Sequence, residues 1–198
     1  MRFPHGLAYV PVMDDDDTAN DADGALGGPV PGDTKDWTWV LERACPECGL
    51  DPSTIAVTDI ADLVLANAAG WQEVLVRPDV RRRPQPDVWS PLEYACHVRD
   101  VFRLFDLRLH LMLDEDDPRF ANWDQDDTAV AERYHEQDPE AVALELQGAA
   151  DTVAASFAAV RPEQWRRRGR RSDGAVFTVE SFGRYFVHDP LHHLYDVR

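Results

Sequence analysis

Residues 177–197 read FTVESFGRYFVHDPLHHLYDV. Phe182, Tyr185 and Phe186 recur at three- and four-residue steps, the period of an α-helix. A helix is therefore predicted from about Thr178 to the last residues. His188 and His192 lie four apart, so on a helix both imidazoles project from one face, one turn apart, within reach of one metal ion. His193 lies about 100° further round, and the spacing predicts that it does not share that ion. Pro190 stands between the pair and lacks the amide that would bond the Phe186 carbonyl.

Upstream, residues 89–109 read WSPLEYACHVRDVFRLFDLRL. Ser90 and Glu93 form a capping box around Pro91, and the apolar positions Leu92, Cys96, Phe102, Phe105, Leu109 and Met112 extend a helix to about Leu113. His97 sits in this segment among apolar neighbours. Two further helices are predicted. One has Asp51 as N-cap and Pro52 at its first position, and runs to about Arg77 with Ile60, Leu63, Val64, Trp71, Val74 and Leu75 inward. The other has Asp138 and Pro139 at its start and continues through Val142, Leu146, Ala150, Val153 and Phe157 to Val160. The fold class is thus all-α, a four-helix bundle, in which sites are built by side chains of facing helices. Between the second and third helices a long loop holds Phe120, Asn122, Trp123, Asp124 and Gln125. Ser172, Asp173 and Gly174 are a turn signal between Arg-rich and apolar flanks, consistent with a short β-hairpin before the last helix. Residues 1–36 form an acidic tail, expected to be extended or disordered, and 37–198 form the bundle.

The chain has 198 residues and a formal net charge of −17, which would repel a phosphate backbone, so nucleic acid is not an expected partner. No apolar run approaches the roughly 20 residues that cross a bilayer, and no export signal is evident; a cytoplasmic protein without membrane attachment is expected. Its three cysteines, Cys45, Cys48 and Cys96, are too few for a disulfide framework. CxxC is a zinc or redox spacing, but a closed zinc site needs four ligands and there is no second CxxC. The reading favoured for Cys45 and Cys48 is packing or an incidental disulfide. Cys96 is read as core.

His97 on one helix facing His188 and His192 on another would leave coordination positions open, the geometry of catalytic sites. Ligating histidines commonly donate their other N–H to a carboxylate, and Asp100 and Asp196 are spaced to orient His97 and His192. In these motifs the chain resembles the DinB/YfiT-like superfamily over about residues 50–198, most of all its actinobacterial branch. The resemblance implies a four-helix bundle in which three histidines, here His97, His188 and His192, hold one divalent ion, often zinc or nickel. It further implies a thiol-dependent transferase or isomerase with a cosubstrate such as mycothiol, and a homodimer as a common assembly. The acidic N-terminal extension with its CxxC departs from the simplest family pattern, and no separate thiol-binding signature can be matched.

The expected chemistry is activation of a low-molecular-weight thiol by the metal for attack on an electrophilic small molecule. Metal-assisted hydrolysis and a non-catalytic metal-binding module are the alternatives. Candidates for contact with substrate are Trp123, Asp124, Tyr185 and the hairpin arginines Arg168 and Arg171, whose forked guanidinium groups suit carboxylates.

Overall fold

The computed structural model describes Val30 and residues 36–198. Most of the predicted tail, including the acidic run 14–17, lies outside the described residues. Five α-helices follow a short 3₁₀ segment, Trp37–Leu41: α1 Ile60–Leu75, α2 Pro91–Asp114, α3 Gln125–Ala131, α4 Pro139–Ala158 and α5 Val179–Asp196. Three short strands complete the order: β1 Arg119–Phe120, β2 Arg168–Arg171 and β3 Val176–Thr178.

Helices α1, α2, α4 and α5 form the bundle. Both α1 and α2 pack mainly on α4 and α5. The consecutive helices α1 and α2 therefore stand across the bundle from each other, and residues 76–90 make the crossing. The core between them is rich in aromatic rings, with Phe186 of α5 stacked between Phe105 of α2 and Phe157 of α4, at centroid distances of 4.9 and 5.5 Å. Gly183 lets α5 approach closely, since a β-carbon there would lie 2.6 Å from Ile60 Cδ1 and 3.0 Å from Phe157 Cε1. No helix among the described residues is long and apolar enough to cross a membrane.

The caps explain where the helices begin. Ser90 accepts the Glu93 amide while the Glu93 carboxylate accepts the Ser90 amide, which satisfies two orphan donors of α2. Glu93 is also bound by the Arg83 guanidinium, and both side chains are buried. Asp138 caps α4 with Pro139 at its first position, as expected from the sequence. Thr178 and Ser181 form a reciprocal cap on α5.

Two elements differ from the sequence expectation. Asp51 and Pro52 start only a 3₁₀ turn, Pro52–Thr54, and α1 begins at Ile60. Ile55 is held extended, its carbonyl taken by Arg184 Nε of α5 at 3.0 Å, so a tertiary contact overrides the local cap. The long loop also contains a helix: Asp124 accepts the amides of Asp126 and Asp127 and starts α3.

The predicted hairpin is present, and its β2 also pairs in parallel with β1, giving the order β1-β2-β3. Gly174, at φ +103°, closes the turn. Arg167 reaches the end of α2 and donates to the Met112 carbonyl at 2.7 Å, while Arg170 pairs with Asp117. These two arginines tie the hairpin to the bundle. Arg171 points elsewhere, toward Tyr185 of α5.

Candidate metal centre

One turn of α5 decides the site. Successive helical residues are rotated by about 100°, so the sequence HDPLHH carries two pairs four apart on adjoining faces. His188 and His192 form one pair; Asp189 and His193 form the other. The HxxxH spacing predicts that His188 and His192 join His97, and the structure corrects this. His97 of α2 groups instead with Asp189 and His193. The His97 Nε2 to Asp189 Oδ1 distance is 3.3 Å, and His193 Nε2 lies 3.8 Å from the same oxygen. His188 and His192 turn toward Cys45 and Cys48, on the segment before α1. The rotation that removes His193 from one pair places it in the other.

Two imidazoles and one carboxylate suit a divalent ion of the zinc or nickel kind. Nitrogen and oxygen ligands about 2.0–2.1 Å from a tetrahedral ion stand about 3.4 Å apart. The observed separations of 3.3 and 3.8 Å are close to that edge. Three protein ligands leave a position open, as in catalytic rather than structural centres. Burial alone would raise the Asp189 carboxyl, but the His97 and His193 imidazoles and the hydrogen bond from His97 outweigh it and hold it at about 2. The carboxylate is therefore ionised at neutral pH, as a ligand must be.

Aromatic rings position His97. It is fully buried, stacked on Trp123 at 5.4 Å with the planes 4° apart, and flanked by Trp89 at 5.4 Å. Its Nδ1 has no hydrogen-bond partner among the described residues, so ring packing and the Nε2 contact with Asp189 set its orientation. Asp100 does not orient His97 as the spacing predicts. Its carboxylate is bound by Arg99, Arg103 and the Tyr134 hydroxyl, a network that joins α2 to residues 134–145. Asp196 lies 3.5 Å from His192 Nε2 and 3.2 Å from His193 Nδ1, so it stands beside both faces of α5.

A cavity of about 400 Å³ is lined by Asp189 and His193 of this trio, by Trp37, Trp123, Asp124 and Tyr185, and also by His188 and His192, whereas His97 lies buried behind it. Arg108 and Arg171 stand in its wall. The wider cleft of about 850 Å³ also reaches His193, but neither Asp189 nor either of these arginines lines it. Arg171 donates to the Tyr185 hydroxyl at 3.1 Å and pairs with Asp173. Arg108, which sequence reasoning missed, is buried in α2 and donates to the Ala121 carbonyl at 2.7 Å. Burial, and then repulsion from Arg171, lower its guanidinium to about 10, which still leaves it charged at neutral pH. Its signal was weak, one of two arginines, with Arg99, buried on α2 among apolar residues. Among the sequence candidates, Trp123, Asp124, Tyr185 and Arg171 line the cavity, whereas Arg168 is exposed on β2 and does not. Asp124 is engaged in capping α3, and Trp123 donates its indole N–H to Thr128 at 2.7 Å.

A family model of the DinB superfamily matches residues 62–197. The chain belongs to the DinB superfamily. The matched span includes all three residues of the trio, whereas Cys45 and Cys48 precede it. Among solved structures, this DinB member is similar to YfiT from Bacillus subtilis, described as a probable metal-dependent hydrolase with an unusual four-helix bundle topology. The TM-score is 0.61 at 18% identity, over 79% of this chain and 89% of YfiT. At that identity the likeness establishes the shared bundle. No curated protein sequence matches.

Proposed function

We propose that this DinB-superfamily chain is a metal-dependent enzyme that directs a small thiol, with mycothiol as the first candidate, against a small anionic electrophile. One observation carries the reading: Asp189 and His193, grouped with buried His97, line a cavity with two guanidinium groups in its wall. A divalent ion held by these residues would lower the pKa of a bound thiol or water and so supply a nucleophile at neutral pH.

The chain's own residues supply binding and orientation. Arg171 and Arg108 hold a carboxylate of the thiol or of its acceptor by charge-assisted hydrogen bonds. Burial raises the Tyr185 hydroxyl above its ordinary value despite the opposing effect of Arg171. Tyr185 therefore keeps its proton and is a donor to a bound oxygen. Trp37 and Trp123 wall the cavity, and Trp123 also fixes the His97 ring.

Hydrolysis is the second reading, with water as the nucleophile in the same geometry. The shared fold with YfiT, described as a probable metal-dependent hydrolase, favours it. The deciding experiment uses purified protein loaded with zinc or nickel and a panel of carboxylate-bearing electrophiles, with and without mycothiol. Turnover that requires the thiol supports transfer. Turnover indifferent to thiol supports hydrolysis. A fully loaded protein with no turnover in either condition would leave only a binding role.

A further inference from the structure

We propose that Cys45, Cys48, His188 and His192 bind a second metal ion, zinc, in a closed four-ligand site that staples residues 37–50 to α5. The four side chains come from distant parts of the chain, and their ligand atoms all lie within 4.8 Å of one another. Cys45 Sγ is 3.6 Å from His192 Nδ1, and Cys48 Sγ is 3.8 Å from His188 Nε2. An ion about 2.3 Å from sulfur and about 2.0–2.1 Å from nitrogen sets sulfur–nitrogen edges of about 3.6 Å in a tetrahedron. Both measured edges are close to that value. The order Cys-x₂-Cys followed by His-x₃-His is itself a zinc-binding spacing.

The local backbone is built to present both sulfurs. In CPECG the Gly49 amide bonds the Cys45 carbonyl at 2.9 Å, and the Cys45 amide bonds the Leu50 carbonyl at 2.7 Å. Gly49 takes φ +76°, a conformation that favours glycine. The two thiols are free rather than joined in a disulfide, and their sulfurs lie within 4.8 Å of each other. Cys45, His188 and His192 are buried.

The surroundings are those of a ligated imidazole. With Nδ1 of His192 facing sulfur, its Nε2 lies 3.4 Å from Glu47 and 3.5 Å from Asp196. Ligating histidines characteristically donate their second N–H to a carboxylate in this way. The Trp37 ring covers both imidazoles, at 5.5 Å from His188 and 5.4 Å from His192. Two sulfurs with two imidazole nitrogens select zinc and leave no position for substrate. The role is structural. It seats Trp37 in the cavity wall and fixes the rotation of the α5 turn that carries Asp189 and His193. The proposal rests on these four side chains alone and stands or falls separately from the enzymatic reading.

The test is cobalt titration of the purified, metal-stripped, reduced full chain, followed by near-ultraviolet and visible absorption. Three proteins are compared: wild type, His97→Ala, and the double variant Cys45→Ser with Cys48→Ser. The expected result is a thiolate-to-cobalt charge-transfer band that saturates at one equivalent in His97→Ala, saturates by two equivalents in wild type, and vanishes in the double variant. Should the double variant fail to fold, wild type and His97→Ala still decide. X-ray absorption of the zinc form of His97→Ala should then show two sulfurs at about 2.3 Å and two nitrogens at about 2.0–2.1 Å. Absence of the charge-transfer band in folded wild type, or a zinc shell without sulfur, overturns the proposal.

Discussion

Two clusters share one turn of α5, and they differ in what they leave open. One gathers Cys45, Cys48, His188 and His192, with two sulfurs and two nitrogens around a common centre. The other gathers His97, Asp189 and His193, with no sulfur and one fewer ligand. The first is covered on one side by Trp37 and has four ligands to close it; the second has three, and its Asp189 and His193 line a cavity, shared with His188 and His192, that has Arg108 and Arg171 in its wall. A rotation of about 100° between neighbouring residues is enough to give adjacent positions unlike chemical roles. A helix can therefore hold a staple on one face and a reactive centre on the next, the staple setting the register of the centre.

The contrast can be broken most directly by removing one ligand from each cluster. His97→Ala should lower metal-dependent turnover by at least about a hundredfold, beyond the roughly 10–100-fold typical of residues that only support a ligand. Its unfolding midpoint in differential scanning calorimetry should stay near that of the metal-loaded wild type, because the four-ligand site remains filled. The double variant Cys45→Ser with Cys48→Ser should behave in the opposite way. Its midpoint should fall by about 6–12 °C, equivalent to ~3 kcal/mol for a domain of this size. Equal effects of the two changes on stability would remove the distinction between the clusters.

A smaller effect sharpens the open side. Arg171→Gln should raise KM for an anionic substrate about tenfold, or ~1.4 kcal/mol, with little change in kcat, as expected for loss of ground-state binding. An unchanged KM would take Arg171 out of substrate recognition. An effect of similar size, read on stability alone, belongs to a region outside both clusters. Glu93 is buried; burial would raise its carboxyl, but Arg83 and Ser90 prevail and leave it below its ordinary value of 4.5. Its folded pKa is depressed, so its stabilising contribution is present above about pH 4.5 and is lost as pH falls through the lower folded value. Glu93→Gln should cost about 1–2 kcal/mol at pH 7, and the gap from wild type should close in urea unfolding as the pH drops toward 3. A gap independent of pH would contradict that account.

Much of the bundle was legible because its signals are local. Ser90 with Glu93, and Asp138 with Pro139, mark helix starts that the structure keeps. The start of α1 was not legible from Asp51 and Pro52, because Arg184, 129 residues away from Ile55, holds that segment extended. The site divides the same way. Histidines on two helices were visible in the sequence. The choice between two pairs four apart was made by counting imidazoles, which passed over Asp189. The partnership of Cys45 and Cys48 with His192 and His188 spans 147 and 140 residues. No periodicity within a segment can report a contact that only the packing of residues 37–50 on α5 creates.

The most direct measurement is anomalous diffraction at the metal edge from crystals of the metal-loaded full chain. The account predicts two anomalous peaks per chain: one inside Cys45, Cys48, His188 and His192, and one between His97, Asp189 and His193 facing the cavity. A single peak coordinated jointly by His97, His188 and His192 would contradict it.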